Sequence, residues 1–429
     1  MQKSDFLTRI PSDGEDAGQG VYQRRTHRGM LTIQMFCGNV HPLSKKSIYL
    51  AKASEEEIFL QSMSTFSPTN SVLTFQSDIL LDANESPFAL PPGPREALRE
   101  LLAAQEFHRY PDPEAKELRR ALASRWGVEM ENVVVGNGAD EILLNLFLAF
   151  VRPGDVVLHM TPCFSQYPRL CEIFGAEERL VPVALQQGRF SVREEQLLDA
   201  VAASSPKLIL LDTPHNPTGI TLDADFLRKL GEIAPCPVVI DEAYGEFAVQ
   251  TVLPDVAARG IPRQAVLLRT LSKAWGLAGL RLGYAVTRPE LREKIDAVRN
   301  PFHVGVWPQS AAKLLLSFDE WMESRVLSLV YIRDRFVETV NGLAGGWFAA
   351  PSEGNFVLVR SPQEKSMVQE ELRQSGIRVR FFENLPWEGC WMRVSIGKEE
   401  DMRRVVEAFS RMCAESFEEG GTRAECVPA

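Results

Sequence analysis

Ala265-Val266-Leu267-Leu268-Arg269-Thr270-Leu271-Ser272-Lys273-Ala274-Trp275-Gly276-Leu277-Ala278-Gly279-Leu280-Arg281-Leu282-Gly283 is the stretch that decides the reading of this chain. A short apolar run ends at Thr270, one lysine follows it, and small residues fill the turn behind. Apolar runs of this length, bounded by turn signals, read as buried strands. Working outward, Leu208–Asp212, Pro237–Ile240 and Leu282–Val286 repeat the pattern, with helical stretches between them. Further upstream, Asn132–Gly136 precedes a helix over Glu141–Val151, and Asp155–His159 precedes one near Tyr167–Phe174. Alternation on this scale predicts an α/β fold with a large, mostly parallel sheet flanked by helices. In such sheets ligands bind where strands end and turns begin.

Beyond a long helical region at about 309–342 the pattern changes. Asn355–Val359, Ile377–Phe382 and Trp391–Ile396 read as strands, with helices at 364–375 and 399–416, which predicts a smaller α+β C-terminal domain. Residues 1–75 show no sustained helical or strand period and no DNA-recognition helix, and they read as a flexible extension. The expected division is therefore 1–75, an arm at 76–111, a large domain at 112–330, a small domain at 331–418 and a tail at 419–429.

Several function classes are disfavoured by composition. A formal net charge of -10 repels phosphate backbones, so no nucleic-acid partner is expected. Seven cysteines, an odd number without CxxC pairs, read as reduced thiols in a cytoplasmic protein. The six histidines are dispersed, and no metal site is expected. No apolar run approaches the roughly 18–20 residues that span a bilayer. Asp5, Asp13, Glu15 and Asp16, with no apolar core beside them, argue against a secretory signal.

The strand ends carry the chemistry. Lys273, in a turn of small residues, is open to a flat ligand, and a desolvated amine there forms a Schiff base with a carbonyl. A surface lysine in a capping turn is the plain alternative. Ser272 and Arg281 suit a phosphate. Asp241 ends the apolar run Val238–Ile240, where a buried acid needs a partner such as a protonated pyridine nitrogen; capping of the next helix is the other reading. Tyr244 and Asn216, the latter in the rigid Thr213–Gly219 turn, are placed to hydrogen-bond a phenolic oxygen on such a ring, although a plain turn also explains Asn216. Gly136-Asn137-Gly138-Ala139-Asp140-Glu141 lies between a strand and a helix, where free N–H groups cradle a phosphate. It lacks the spacing of a nucleotide loop. Phe164 stands at a strand end as a stacking candidate, or as core.

Taken together, these motifs resemble the fold-type I pyridoxal-phosphate (PLP) aminotransferases, and within them the histidinol-phosphate aminotransferases. The resemblance covers roughly residues 80–415. It rests on Leu81–Pro87, His108–Asp112, Gly136–Glu141, Asn216–Gly219, Asp241–Tyr244, Ser272–Gly283, Glu353–Phe356 and Met392–Val394. It implies that Lys273 holds PLP and later moves a proton, that Asp241 pairs with the ring nitrogen, and that Asn216 and Tyr244 bind the ring oxygen. It also implies that Phe164 stacks on the ring and that Gly138, Ala139, Asp140, Ser272 and Arg281 surround the phosphate. Tyr110 would reach the phosphate of a neighbouring subunit in a homodimer, with the 76–111 arm contributing to the small domain and to the dimer contact. Arg393, with Arg380 and Asn216, would bind the substrate; Arg378 reads as a solvated neighbour on the same strand face as Arg380.

The implied reaction moves the amino group of histidinol phosphate to 2-oxoglutarate, so one anion site must take a phosphate ester and then a carboxylate. Guanidinium geometry suits both. Two departures from the family pattern, Phe88 in place of Tyr and His303 in place of Asn, are expected on the substrate side. Alternatives sharing the same cofactor residues are an aromatic or other amino-acid aminotransferase and a PLP-dependent threonine-phosphate decarboxylase.

Overall fold

The strands Leu208–Asp212, Val238–Asp241 and Ala265–Thr270 are buried along their whole length, which apolar runs without polar alternation require. They form the middle of a seven-stranded sheet. Its order is Val133–Gly136, Gly283–Thr287, Ala265–Thr270, Val238–Asp241, Leu208–Asp212, Val156–Thr161, Glu177–Pro182. All neighbours pair in parallel except Gly283–Thr287, which runs antiparallel to both of its partners. This is the mostly parallel sheet expected from the sequence.

The computed structural model describes residues 79–419, with side chains to residue 413, and three strands nearer the N-terminus. The chain divides into two units at Gln76/Ser77. In the first, Thr8–Ile10, Gln19–Thr26 and Gly29–Phe36 form an antiparallel sheet, with Thr26 paired to Gly29. The sequence shows no sustained strand pattern there; what organises the strands is the antiparallel pairing of two eight-residue runs. The expectation of a flexible extension otherwise falls on residues outside those described, as does most of the expected 419–429 tail.

In the second unit, alternate side chains of the central strands enter two separate cores. Ile209, Leu211, Val238, Ile240 and Leu267 pack with Leu118, Leu122, Leu197 and Leu227 on one face. Leu210, Val239, Val266 and Leu268 pack with Ile142, Leu146, Tyr167 and Leu291 on the other. Each fully buried aliphatic side chain contributes on the order of 1.5–3 kcal/mol. With both faces sealed by helices, the open crevice lies at the carboxyl edge of the sheet, where Asp212, Asp241 and Thr270 emerge.

A second, five-stranded sheet runs Phe348–Ala349, Phe356–Ser361, Cys390–Ser395, Ile377–Phe382, Ile79–Leu81. The arm therefore enters this sheet as its last strand, parallel to Ile377–Phe382. The helical region expected at 309–342 is two helices, Val306–Leu315 and Asp319–Asn341, and the expected domain boundary at residue 330 falls inside the second. That helix is continuous because it carries no glycine or proline and buries Met322, Val326, Leu329, Phe336 and Val340 along one stripe. No helix among the described residues is long and apolar enough to cross a membrane.

Candidate active site

The crevice gathers residues from many separate segments, among them Ala139, Asp140, Phe164, Asp212, Asn216, Asp241, Tyr244, Ser272, Lys273 and Arg281. Strand alternation explains the placement of the acids. Asp241 faces the crevice, while its neighbour Glu242 points away and ion-pairs with the buried Arg269 at 2.9 Å.

Asp241 is buried. Its Oδ2 accepts from the Tyr167 hydroxyl at 3.0 Å and its Oδ1 from the Ala243 N–H at 3.0 Å. Burial, helped by the charge of Asp212, pushes its pKa up to about 7. Asp212 sits directly beside it, since the two are paired in register at the ends of adjacent strands. Its Oδ2 accepts the Asn216 N–H at 2.7 Å, whereas its Oδ1 is buried without a hydrogen-bond partner. Burial raises this acid to about 7 as well. His215 offers it little: the ring lies 4.0 Å away, burial lowers its pKa to about 4, and its nitrogens engage Pro162 O and Thr218 Oγ1. Two buried carboxyls thus share the crevice, and no lysine or arginine among the described residues forms an ion pair with either.

Lys273 is half-buried, and its Nζ donates to Ala83 O at 2.9 Å. Desolvation, reinforced by the Arg393 guanidinium, lowers its pKa to about 8, so a useful fraction is a free amine near neutrality. Tyr244 lies behind it, the amine 5.8 Å from the centre of its ring.

At the other end of the crevice, Gly138 caps the helix Ala139–Phe150, whose first N–H groups have no partners within the helix. Gly138 has φ +82°, and a Cβ there would lie 2.8 Å from an Arg281 terminal nitrogen, so only glycine allows the guanidinium this close. Arg281 pairs with Asp140 at 3.3 Å, and the Ser272 hydroxyl is held by Thr270 Oγ1 at 3.0 Å. Phe164 is half-buried and packs edge-on against Tyr167, with 5.8 Å between ring centroids.

Arg393 reaches the crevice from the small sheet. It donates to Asn216 Oδ1 and to Asp82 O, both at 2.7 Å, and its buried Nε has no partner. The first bond fixes the Asn216 amide with its NH2 group directed elsewhere. Arg380 is exposed and stands opposite Arg393 in antiparallel register. Arg378 bonds Asp82 at 3.2 Å. Tyr110 does not line the crevice of its own chain; it is 81% exposed and stacks on Phe302 at 4.5 Å.

The two departures from the family pattern do not line the crevice. His303 Nε2 contacts Val135 O at 3.0 Å and its Nδ1 lies 3.2 Å from Arg299, so it braces a strand end. Phe88 is partly buried beneath the Arg325 guanidinium, 5.7 Å away. Sequence reasoning missed Asp212, Tyr167 and the Asn84 side chain. It also missed a proximity of His159, Cys171 and Glu178. There His159 is engaged by Met160 O and Glu178, each at 2.8 Å, and burial pushes the Cys171 thiol up to about 12, which keeps it protonated.

The sheet thus carries Asp241 and Tyr244 at the end of one strand and Lys273 beyond the end of its neighbour. Residues 76–409 match the model of the aminotransferases of class I and II, and the chain belongs to that family. Within it, the chain is 34% identical over 361 residues to a histidinol-phosphate aminotransferase of Ruminiclostridium cellulolyticum, covering 83% of this chain and 99% of that one. A histidinol-phosphate aminotransferase of Caldanaerobacter subterraneus subsp. tengcongensis is 34% identical over 329 residues, 77% of this chain and 91% of the other. The structure of histidinol-phosphate aminotransferase from Sinorhizobium meliloti in complex with pyridoxal-5'-phosphate superposes with a TM-score of 0.71 at 26% identity, over 82% of this chain and 95% of that one.

The residues present fit that cofactor. Two buried acids, Asp241 and Asp212, face the crevice, and the unpartnered Asp212 Oδ1 leaves the pair short of a positive group such as a protonated ring nitrogen. The glycine-bounded helix end calls for an anion, and the amine at about 8 suits a carbonyl.

Proposed function

We propose that this chain is a PLP-dependent transaminase that moves the amino group of histidinol phosphate to 2-oxoglutarate, giving imidazole acetol phosphate and glutamate in histidine biosynthesis. PLP, held on Lys273, supplies an electron-poor ring that stabilises negative charge at the substrate α-carbon. Asp241 holds the ring nitrogen protonated, while Tyr244 and the Asn216 NH2 group donate to the ring oxygen. Phe164 covers one face of the ring. The N–H groups at Gly138, Ala139 and Asp140, with Ser272 and Arg281, hold the phosphate. Lys273 Nζ takes the proton from the substrate α-carbon.

The observation that carries the substrate side is Arg393. Its guanidinium bonds Asn216 in the crevice and pairs with no carboxylate among the described residues, and one guanidinium serves the phosphate ester of one substrate and the carboxylate of the other in turn. Arg380 supports it from the adjacent strand. The histidinol-phosphate aminotransferases among its relatives favour this substrate pair. The working form we propose is a homodimer in which Tyr110, exposed and stacked on Phe302 in its own chain, serves the neighbouring subunit. We place it in the cytoplasm, where its scattered thiols stay reduced.

Steady-state kinetics of Arg393→Ala test the shared site. KM for histidinol phosphate and for 2-oxoglutarate should rise together, by roughly 10- to 100-fold, the worth of a charged hydrogen bond. A rise for only one substrate contradicts a common anion site.

A further inference from the structure

Three consecutive residues of the arm each hold one side chain of the crevice. Asp82 O accepts from Arg393, Ala83 O from Lys273, and Asn84 bonds Tyr244. The first two contacts use backbone carbonyls, which any residue supplies. The third uses a side chain, and it is the more informative.

Asn84 is 1% exposed and has a left-handed backbone, φ 53°. Asparagine is among the few residues besides glycine that adopt that conformation, where its short polar side chain finds local hydrogen bonds. The Asn84 N–H donates to Ser395 Oγ at 2.8 Å, and its carbonyl accepts from Asn355 Nδ2 at 3.0 Å. Ser395 Oγ, already accepting one bond, gives its own proton to Asn84 Oδ1 at 2.9 Å. With Oδ1 facing the Ser395 hydroxyl, Nδ2 points to the Tyr244 hydroxyl, 2.9 Å away, and donates to it. The Tyr244 oxygen therefore accepts, and its own proton is left for the crevice.

We infer that Asn84 is a positioning residue for the reaction: by donating to Tyr244 it turns the phenolic O–H toward the cofactor's ring oxygen and strengthens it as a donor. Hydrogen bonds in series polarise one another, so a phenol that accepts from an amide donates more strongly onward. The assignment rests on the proposed PLP chemistry of this crevice. The competing role is a purely structural one, in which Asn84 pins the arm to Ser395 and Asn355.

The test is a double-mutant cycle on the full-length protein between Asn84 and Tyr244, read in two ways: PLP dissociation constant by equilibrium dialysis, and the midpoint of the pH titration of the bound-PLP absorbance band. Asn84→Gly keeps the left-handed backbone without strain, and with it both backbone hydrogen bonds. Asn84→Asp keeps the shape and the Ser395 bond but replaces the donor by an acceptor. Each variant should weaken PLP binding roughly three- to tenfold, the worth of one hydrogen bond. Each should also raise the titration midpoint, because the ring oxygen, less well solvated, holds the neighbouring proton more tightly. In a Tyr244→Phe background the same substitutions should add less than about twofold. Equal effects in both backgrounds, or no effect in either, overturn the positioning role. Failure of the unmodified protein to bind PLP at all overturns the cofactor reading, and this inference with it.

Discussion

Replacing Asp212 by Asn should stabilise the cofactor-free protein, and increasingly so as the pH rises. In the folded chain this carboxyl is held at about 7 by burial, against 3.8 ordinarily. The native state therefore keeps a proton that the unfolded chain has already released. Its contribution to stability is full below about 3.8, declines as the pH rises, and stops declining above about 7. Each pH unit in that window is worth about 1.4 kcal/mol. Between pH 5 and pH 7 the native protein accordingly loses about 2 kcal/mol that an uncharged Asn does not lose. Asn keeps an oxygen for the Asn216 N–H and places its NH2 where Oδ1 already lacks a partner, so the exchange disturbs little else. Removing the charge also lets Asp241 relax toward its ordinary value, an effect of the same sign. Urea denaturation of the PLP-free protein at pH 5, 6, 7 and 8 should show the gap between variant and unmodified protein widening by about 2–3 kcal/mol, then levelling. A gap constant from pH 5 to pH 8 refutes the claim that Asp212 is a buried acid without a counter-charge.

Two further predictions follow from single positions. The rate at which cofactor-free protein captures PLP should rise through about pH 8 as Lys273 loses its proton, then level, whereas a midpoint near 10.5 means that the amine is not desolvated. Gly219→Ala should destabilise the fold by about 1–3 kcal/mol in chemical denaturation, because Gly219 has φ +78° and an added Cβ would lie 2.8 Å from the Ser352 Cα; an unchanged midpoint contradicts that packing.

The parts of the fold legible in the sequence were those that a single segment dictates. Leu208–Asp212 and Val238–Asp241 read as buried strands because nearly every side chain in them is apolar and both faces are covered. Lys273, Asp241 and Asn216 were visible because each is a polar group where such a run stops. The edge strand Glu177–Pro182 was not legible, since Glu177, Glu178 and Arg179 are exposed and break the apolar pattern. Nor were partnerships made across long stretches of chain. Tyr167 meets Asp241 across 74 residues, and Asn84 meets Tyr244 across 160. Asp212 was hidden for a different reason: placed just ahead of a proline turn, it reads as the end of a strand, and only the register with Asp241 makes it a second buried acid. His303 shows the converse, a departure expected at the substrate that instead braces Val135.

The central claim is most directly tested by a half-reaction on purified protein loaded with PLP, without any keto acid. L-histidinol phosphate, phenylalanine and threonine phosphate are each added while the cofactor absorbance is followed. The account predicts rapid conversion to the pyridoxamine form with histidinol phosphate and little with the other two. Conversion only with phenylalanine, or carbon dioxide release from threonine phosphate, contradicts it.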